Sequence, residues 1–291
     1  MKNFVKNRID TFISGLIIGA VEIIPGVSGG TMALILGIYE KLIVSISKID
    51  LIFLKNLVTG KFKQALIYSD FDFLLTLVLG MSIAVFSLAS LIDYLMEYHP
   101  FLLKGFFTGL LLCSLFFKPL KLESFNFKIL VGSFFAVLIF SLVFSFPSHA
   151  VAKEINLIYV FFGGFIAVCA FILPGISGSF LLLLLGLYER LISSIIELDF
   201  VFLVTLFLGC LSGLLLFIRF LKKAYDKFRE TLTGFFYFLV LLSIPLIWKD
   251  GIWSISYPDP SVGNFEPVAG LFVGSMLIFL LQNISFNARG T

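Results

Sequence analysis

Apolar residues in this chain come in long blocks. They show neither the stripe of a soluble amphipathic helix nor the alternation of a half-buried strand. Six blocks, residues 73–92, 101–117, 129–146, 200–218, 231–248 and 267–284, each suit one helical crossing of a hydrocarbon core about 30 Å thick. Two longer blocks, 11–46 and 157–195, are broken near their middles by Pro25-Gly26-Val27-Ser28-Gly29-Gly30 and by Pro174-Gly175-Ile176-Ser177-Gly178-Ser179. The arms beside the first break, about 14 and 16 residues, reach roughly 20–25 Å as helix, short of a full crossing. Backbone amides in lipid have no water to bond, so Pro and clustered Gly there mean a repaired kink or a break lining a polar cavity. Pro with two glycines exceeds what a kink needs, and a true break is expected. Between the blocks lie a basic amphipathic start (1–10), an interfacial helix and loop (47–71), an acidic loop (93–100) and basic loops (118–128 and 219–229). A polar loop (147–156) and a loop rich in Pro, Gly and aromatics (249–266) complete the set.

The broken blocks are copies at a constant offset of 149 residues. From Gly15/Gly164 to Ile46/Ile195 about half the positions are identical without a gap, the mark of an internal repeat. Each break leads into a leucine-rich arm that closes at Leu36–Lys41 or Leu185–Arg190, and Phe73–Gly80 reads like Phe202–Gly209. The expected fold is an all-α polytopic membrane protein forming one membrane domain. Its two repeats, 1–146 and 157–291, each hold one broken segment and three spans.

Composition agrees: 59% of residues are hydrophobic, 13% charged, 37 are Phe, and the mean hydropathy is +1.09. A soluble domain carries about twice that charge. Cys113, Cys169 and Cys210 sit in apolar runs without paired spacing and read as packing residues. The start is not read as a cleavable signal, because Glu22 and Pro25 interrupt its apolar stretch. The position of the charges says more than their net value of +3. If each broken block is a hairpin returning to its own side, each half crosses three times and the second half is inverted. With both termini cytoplasmic, 17 Lys and Arg fall inside and only Lys104, Lys153, Arg190 and Lys249 outside. If the broken blocks crossed, the basic 48–63 stretch would face the wrong way. Re-entrant helical hairpins in two inverted-topology repeats, tips near the midplane of a bacterial plasma membrane, are therefore expected.

The tips are the candidate site. A helix starting at Gly-Gly or Gly-Ser presents free N–H groups and a positive dipole end, and Ser28, Thr31, Ser177 and Ser179 add hydroxyls, a set that suits phosphate or carboxylate. The other reading of the same residues is close helix packing. Pro25, Gly26, Gly29, Gly30, Pro174, Gly175 and Gly178 complete the expected substrate-binding set. Glu22, an intramembrane carboxylate, costs on the order of 3 kcal/mol and is a functional candidate: proton carrier, cation ligand, hydroxyl partner, or brace of the hairpin. Glu40 and Glu189, each followed by a base (Lys41, Arg190), read as interfacial ion pairs setting hairpin depth, with coupling or gating the alternative for Glu40, Glu189 and Arg190. Lys104 and Arg219 read as side chains snorkelling to headgroups, with contact to a lipid phosphate on its way through as the alternative for either. His99 and His149 lack metal spacing, and no triad, Walker loop or carboxylate cluster appears. No enzyme activity, cofactor, metal or nucleic-acid partner is expected.

The doubled motif resembles the bacterial polyprenyl-phosphate transporter family, long catalogued as a domain of unknown function. In the first half the matching stretch is Gly19–Lys41, with Glu22, Pro25–Thr31 and Gly37-Ile38-Tyr39-Glu40. In the second it is Ala170–Arg190, with Pro174–Ser179 and Gly186-Leu187-Tyr188-Glu189. The resemblance implies transfer of undecaprenyl phosphate from the outer to the inner leaflet, recycling the lipid carrier of cell-wall synthesis, with membrane lipids as further partners. Apart from the resemblance, a carboxylate such as Glu22 beside an anion site repels the anion unless protonated, so coupling to protons or sodium is a further expectation. Family members often carry Gly-Ser-Leu-Arg near the end of a half's second span. Here Cys113-Ser114-Leu115-Phe116 and Leu242-Ser243-Ile244-Pro245 stand instead, so no role for that arginine carries over. A transporter of a small soluble anion and a membrane enzyme acting on lipid phosphates are the competing readings.

Overall fold

The computed structural model describes residues 2–24, 27–145, 156–248 and 265–289, and every regular element among them is helical. The first half contains α1 (Lys2–Glu22), α2 (Gly29–Ile35), α3 (Tyr39–Ser47), α4 (Leu51–Val58), α5 (Phe62–Tyr68), α6 (Phe71–Tyr98), α7 (Pro100–Ser114) and α8 (Phe127–Ser145). The second contains α9 (Leu157–Ile172), α10 (Gly178–Leu184), α11 (Tyr188–Glu197), α12 (Phe200–Lys227), α13 (Arg229–Ile247) and α14 (Phe265–Arg289).

Local chemistry sets the ends. The Asp50, Asn156 and Asp199 side chains accept from the first-turn amides of α4, α9 and α12, and Pro100 opens α7 where its missing N–H costs nothing. α2 and α10 stop at Gly37 (φ 73°) and Gly186 (φ 67°), where the left-handed backbone favours glycine. Ile38 N–H closes on Ala33 O, and Leu187 N–H on Leu182 O. The chain then turns by 116° into α3 and by 97° into α11. The expected second arms are thus short helices followed by a sharp bend. The expected loops 93–100 and 219–229 are also corrected. α6 and α12 run on to Tyr98 and Lys227, leaving His99 and Phe228 as the only linkers, because a helix emerging from lipid needs no apolar residues to continue. The 146–155 and 249–264 loops lie outside the described residues.

Glycine builds the packing. α1 lies on α6 through Gly15, Gly19 and Gly80, and α9 on α12 through Gly164, Gly209 and Gly213. α7 lies on α14 through Gly105, Gly109, Gly270 and Gly274, and α8 on α13 through Gly132 and Gly234. At each of these a Cβ would strike the partner's backbone, the close approach that small residues at four-residue spacing allow in membranes. All four pairs run parallel. Arg8 at the start of α1 pairs with Asp72 at the start of α6, and Lys128 at the start of α8 with Glu230 at the start of α13. α1 and α6 therefore start at the same end of the bundle. Large apolar side chains such as Phe86, Phe134, Phe207, Phe220 and Phe272 are exposed, a surface that suits lipid rather than water. α6, α12 and α13 are long and apolar enough to cross a membrane, while α7, α8, α9 and α14 carry shorter apolar stretches.

Candidate functional site

The two breaks meet. α1 ends at Glu22 and α2 begins at Gly29; α9 ends at Ile172 and α10 begins at Gly178. The last carbonyls of α9 have no donor within their own helix, and the first hairpin supplies donors. Ser28 Oγ donates to Leu173 O at 3.2 Å and Tyr39 Oη to Ile172 O at 3.0 Å. In return, Gly175 N–H donates to Thr31 Oγ1 at 2.8 Å. Ser28, Thr31, Tyr39, Gly175 and Ser177 are all buried. Gly30 faces the backbone of Ile172 and Phe171. Gly175, at φ 86°, lies against the backbone of Leu239 and Val240 in α13. Pro25 and Gly26 are outside the described residues.

These bonds change the expected picture of free donors. Gly29 N–H, at the start of α2, donates to Glu22 Oε1 at 2.6 Å, so this side chain occupies the amide that an anion was expected to take. Ser177 Oγ accepts from Phe180 N–H at 3.4 Å and shares a hydrogen bond with Ser179 Oγ at 2.9 Å. The second hairpin folds back along α9: Tyr159 Oη donates to Leu185 O at 2.7 Å, Gly163 abuts the Leu187 side chain, and Gly178 lies on Ala167 and Phe171.

The charged residues are also placed differently from expectation. Glu40 does not pair with Lys41, whose Nζ lies 4.5 Å from the Phe73 ring centroid. Instead Glu40 Oε2 accepts from Tyr225 Oη at 3.3 Å and lies 3.6 Å from Arg229, whose guanidinium covers the Tyr225 ring. Arg190 pairs with Asp199 at 2.7 Å and lies 3.9 Å from Glu197, while Glu189 is exposed. Arg219 donates to Ile49 O at 3.2 Å. Lys104 does not snorkel: it is 3% exposed, beside the rings of Phe101 and Trp248. Outside the apolar segments, burial pushes the Asp50 carboxyl up, but Phe53 N–H, Tyr68 Oη, Ile52 N–H and the Arg219 charge outweigh it. Asp50 therefore sits below its ordinary range.

The copies differ in their surroundings. In the first, α2 touches α9 and α3 packs on α12 of the other half. In the second, α11 packs on its own α12, with no comparable packing on α6 among the described residues. The sequence assigned no role to Tyr225, Arg229, Thr108 or Trp248, and Tyr39 stood there only as part of the repeated Gly-(Ile/Leu)-Tyr-Glu motif. Only Tyr39 carried a signal, its recurrence as Tyr188. What the arrangement offers chemically is a buried junction of hydroxyls, carbonyls and amides with one carboxylate beside it. No group of three or more metal-binding side chains occurs among the described residues.

A family profile described as Undecaprenyl phosphate translocase-like matches residues 18–257, spanning both breaks. The chain is 35% identical over 246 residues to a protein of Vibrio cholerae named Polyprenyl-phosphate transporter, covering 83% of this chain and 78% of that one. It is 31% identical over 204 residues to a Staphylococcus aureus protein of the same name, covering 65% and 66%. No solved structure matches. The profile and the Vibrio relative each span most of the chain, and the protein belongs to the Undecaprenyl phosphate translocase-like family.

Proposed function

We propose that this protein moves undecaprenyl phosphate from the outer to the inner leaflet of the bacterial plasma membrane, returning the carrier for envelope synthesis. The observation that carries the reading is the junction itself: two breaks, copies in sequence, hydrogen-bonded to each other inside an apolar bundle. Relatives named Polyprenyl-phosphate transporter supply the substrate class.

The architecture proposed is two inverted repeats, each a re-entrant hairpin plus three spans. Parallel α1 and α6, started by the Arg8–Asp72 pair, support a first hairpin that does not cross. The contacts of Tyr225, Arg219 and Arg229 with Glu40 and Ile49 support the inversion, because they bring the end of α12, not its start, to the face where α6 starts. The ion pairs of Arg8, His99, Lys118, Lys128, Arg190, Lys222 and Arg229 each join groups that the charge count puts on one face, which supports the proposed crossings.

The polyprenyl tail stays in lipid throughout, and only the phosphate has to cross. Its charge needs donors in place of water, and the junction offers Ser28, Thr31, Ser177, Ser179 and the amides around them. Glu22 holds Gly29 and repels a phosphate while ionised, so headgroup arrival couples to protonation of Glu22. The Glu40–Tyr225–Arg229 contact closes the face on which α1 starts, and Glu189 and Arg190 serve the opposite one. The test is surface-exposed undecaprenyl phosphate in a strain lacking this gene. Wild-type protein is expected to clear it; variants with bulk at Gly30 or Gly178 are not. Persistence of the exposed lipid with wild-type protein, alongside uptake of a small anion, replaces this reading with a soluble-anion transporter.

A further inference from the structure

Among the basic side chains described, Lys104 alone is buried. It lies one turn into α7, close enough to the helix end for its stem to reach water, yet it stays inside. Phe101, Lys104 and Thr108 share one face of α7. The rings of Phe101 and Trp248 lie 5.8 and 5.9 Å from Lys104 Nζ. Trp248 is fixed by its Nε1–H donating to Thr108 Oγ1 at 2.8 Å, and Thr108 Oγ1 donates to Lys104 O at 2.7 Å. Gly105, directly after Lys104, abuts the backbone of Pro267, and the neighbouring Glu266 meets His99 Nδ1 at 2.8 Å. The result is a buried cation beside two aromatic rings, near the polar His99–Glu266 contact at the start of α7.

Its position in the bundle gives it a use. α13 runs past every part of the site. Arg229 at its start meets Glu40, Phe236 stacks edge-on against Tyr39, Leu239 and Val240 back Gly175, and Trp248 follows its end. Val240 to Trp248 is about 12 Å of helix. α12 turns back into α13 through Phe228 alone, so Trp248 lies toward the face where α12 starts and the Arg190–Asp199 pair closes the second hairpin. On that face α11 makes no packing on α6 comparable to that of α3 on α12, among the described residues; the opposite face carries the Glu40–Tyr225–Arg229 contact.

We propose that Lys104, walled by Phe101 and Trp248, is a phosphate-monoester site at the mouth of the bundle. It receives the headgroup of a prenyl phosphate arriving from the lipid before that headgroup reaches the junction of the breaks. The inference rests on the transport reading and adds a loading site to it. An ammonium has three N–H donors, so Lys104 can take a phosphate oxygen in addition to the contacts it already makes. The rings give the first prenyl units an apolar surface.

The experiment uses the full chain in nanodiscs with Trp253→Phe, leaving Trp248 as the one remaining tryptophan of two. Farnesyl phosphate is expected to shift Trp248 emission saturably, while farnesol and inorganic phosphate at equal concentration are not. Lys104→Gln is expected to weaken farnesyl phosphate binding at least ~10-fold, as loss of a charge-assisted hydrogen bond does, and Lys104→Arg much less. An equal response to farnesol or to inorganic phosphate overturns the site, as does wild-type-like binding by a folded Lys104→Gln. Titrating the protein that keeps Lys104 tests the site even if Lys104→Gln does not fold: no shift with farnesyl phosphate overturns it. Intact leaflet transfer beside such a failure leaves the transport reading standing. Lys104-dependent binding without any transfer supports the site and removes the transport reading.

Discussion

Gly30→Ala puts a methyl group at the contact between the two breaks. The new carbon would lie 2.7 Å from Ile172 O and 3.1 Å from Phe171 O. Both are backbone atoms in the last turn of α9, held in place by Tyr39 and the neighbouring Ser28–Leu173 bond, so they cannot swing aside as a side-chain tip would. Overpacking of this kind costs about 1–3 kcal/mol, and Gly to Ala within a helix returns up to about 1 kcal/mol. The net loss is about 0–3 kcal/mol, small enough for the protein to fold with its tips pushed apart. Thr31→Val is the milder companion. It keeps the shape but orphans Gly175 N–H, and side-chain hydrogen bonds between membrane helices average about 0.6 kcal/mol. Thermal unfolding in detergent measures the stability change, and leaflet transfer of polyprenyl phosphate in liposomes measures function. Gly30→Ala is expected to melt slightly lower and to lose at least ~10-fold in transfer, with Thr31→Val between it and wild type. A folded Gly30→Ala protein with wild-type transfer would refute the idea that the tips must touch.

Three further outcomes are expected. Glu22→Gln retains an acceptor for Gly29 N–H, so its melting temperature should stay near wild type while its transfer rate loses pH dependence; an unchanged pH profile removes Glu22 from proton coupling. Glu40→Gln keeps an acceptor but removes the charge from an ion pair that is more than half exposed on both sides, worth under about 1 kcal/mol. It should leave stability intact but alter the transfer rate, and an unaltered rate argues against a gate there. Asp50→Ala removes a helix cap worth about 1 kcal/mol. Because the folded-state pKa of Asp50 is lowered, its contribution is full above the unfolded aspartate value and fades as pH falls through the lower folded one. The stability gap between wild type and variant should therefore be constant at neutral pH and close in acid; a gap that widens in acid contradicts the assignment.

The breaks were readable because Pro25, Gly29, Gly30, Pro174, Gly175 and Gly178 stand in runs that tolerate no unpaired amide. The second turn, at Gly37 and Gly186, was not, because a lone glycine leaves hydropathy unchanged and only its positive φ marks the bend. Charge misled the helix ends: Asp93 to Tyr98 and Arg219 to Lys227 read as loops, though a helix extends past the membrane without apolar residues. Four-residue glycine spacing at Gly105/Gly109 and Gly270/Gly274 was present in the sequence, but which helix each pair would meet was not. Within the site, the pattern located the hydroxyls but not their partners. Ser28 finds Leu173, Thr31 finds Gly175 and Glu22 finds Gly29, bonds fixed by how the copies dock. Nor did the pattern show that Lys104 would be buried beside Phe101 and Trp248.

The most direct measurement is leaflet transfer by purified protein in liposomes, with undecaprenyl phosphate loaded on one side and a phosphate-specific reagent read on the other. Wild-type protein is expected to speed the appearance of the lipid on the far leaflet many-fold over empty liposomes, and Gly30→Ala to fall back toward them. Folded wild-type protein that leaves the lipid where it was loaded, at any pH or ion gradient imposed, contradicts the account.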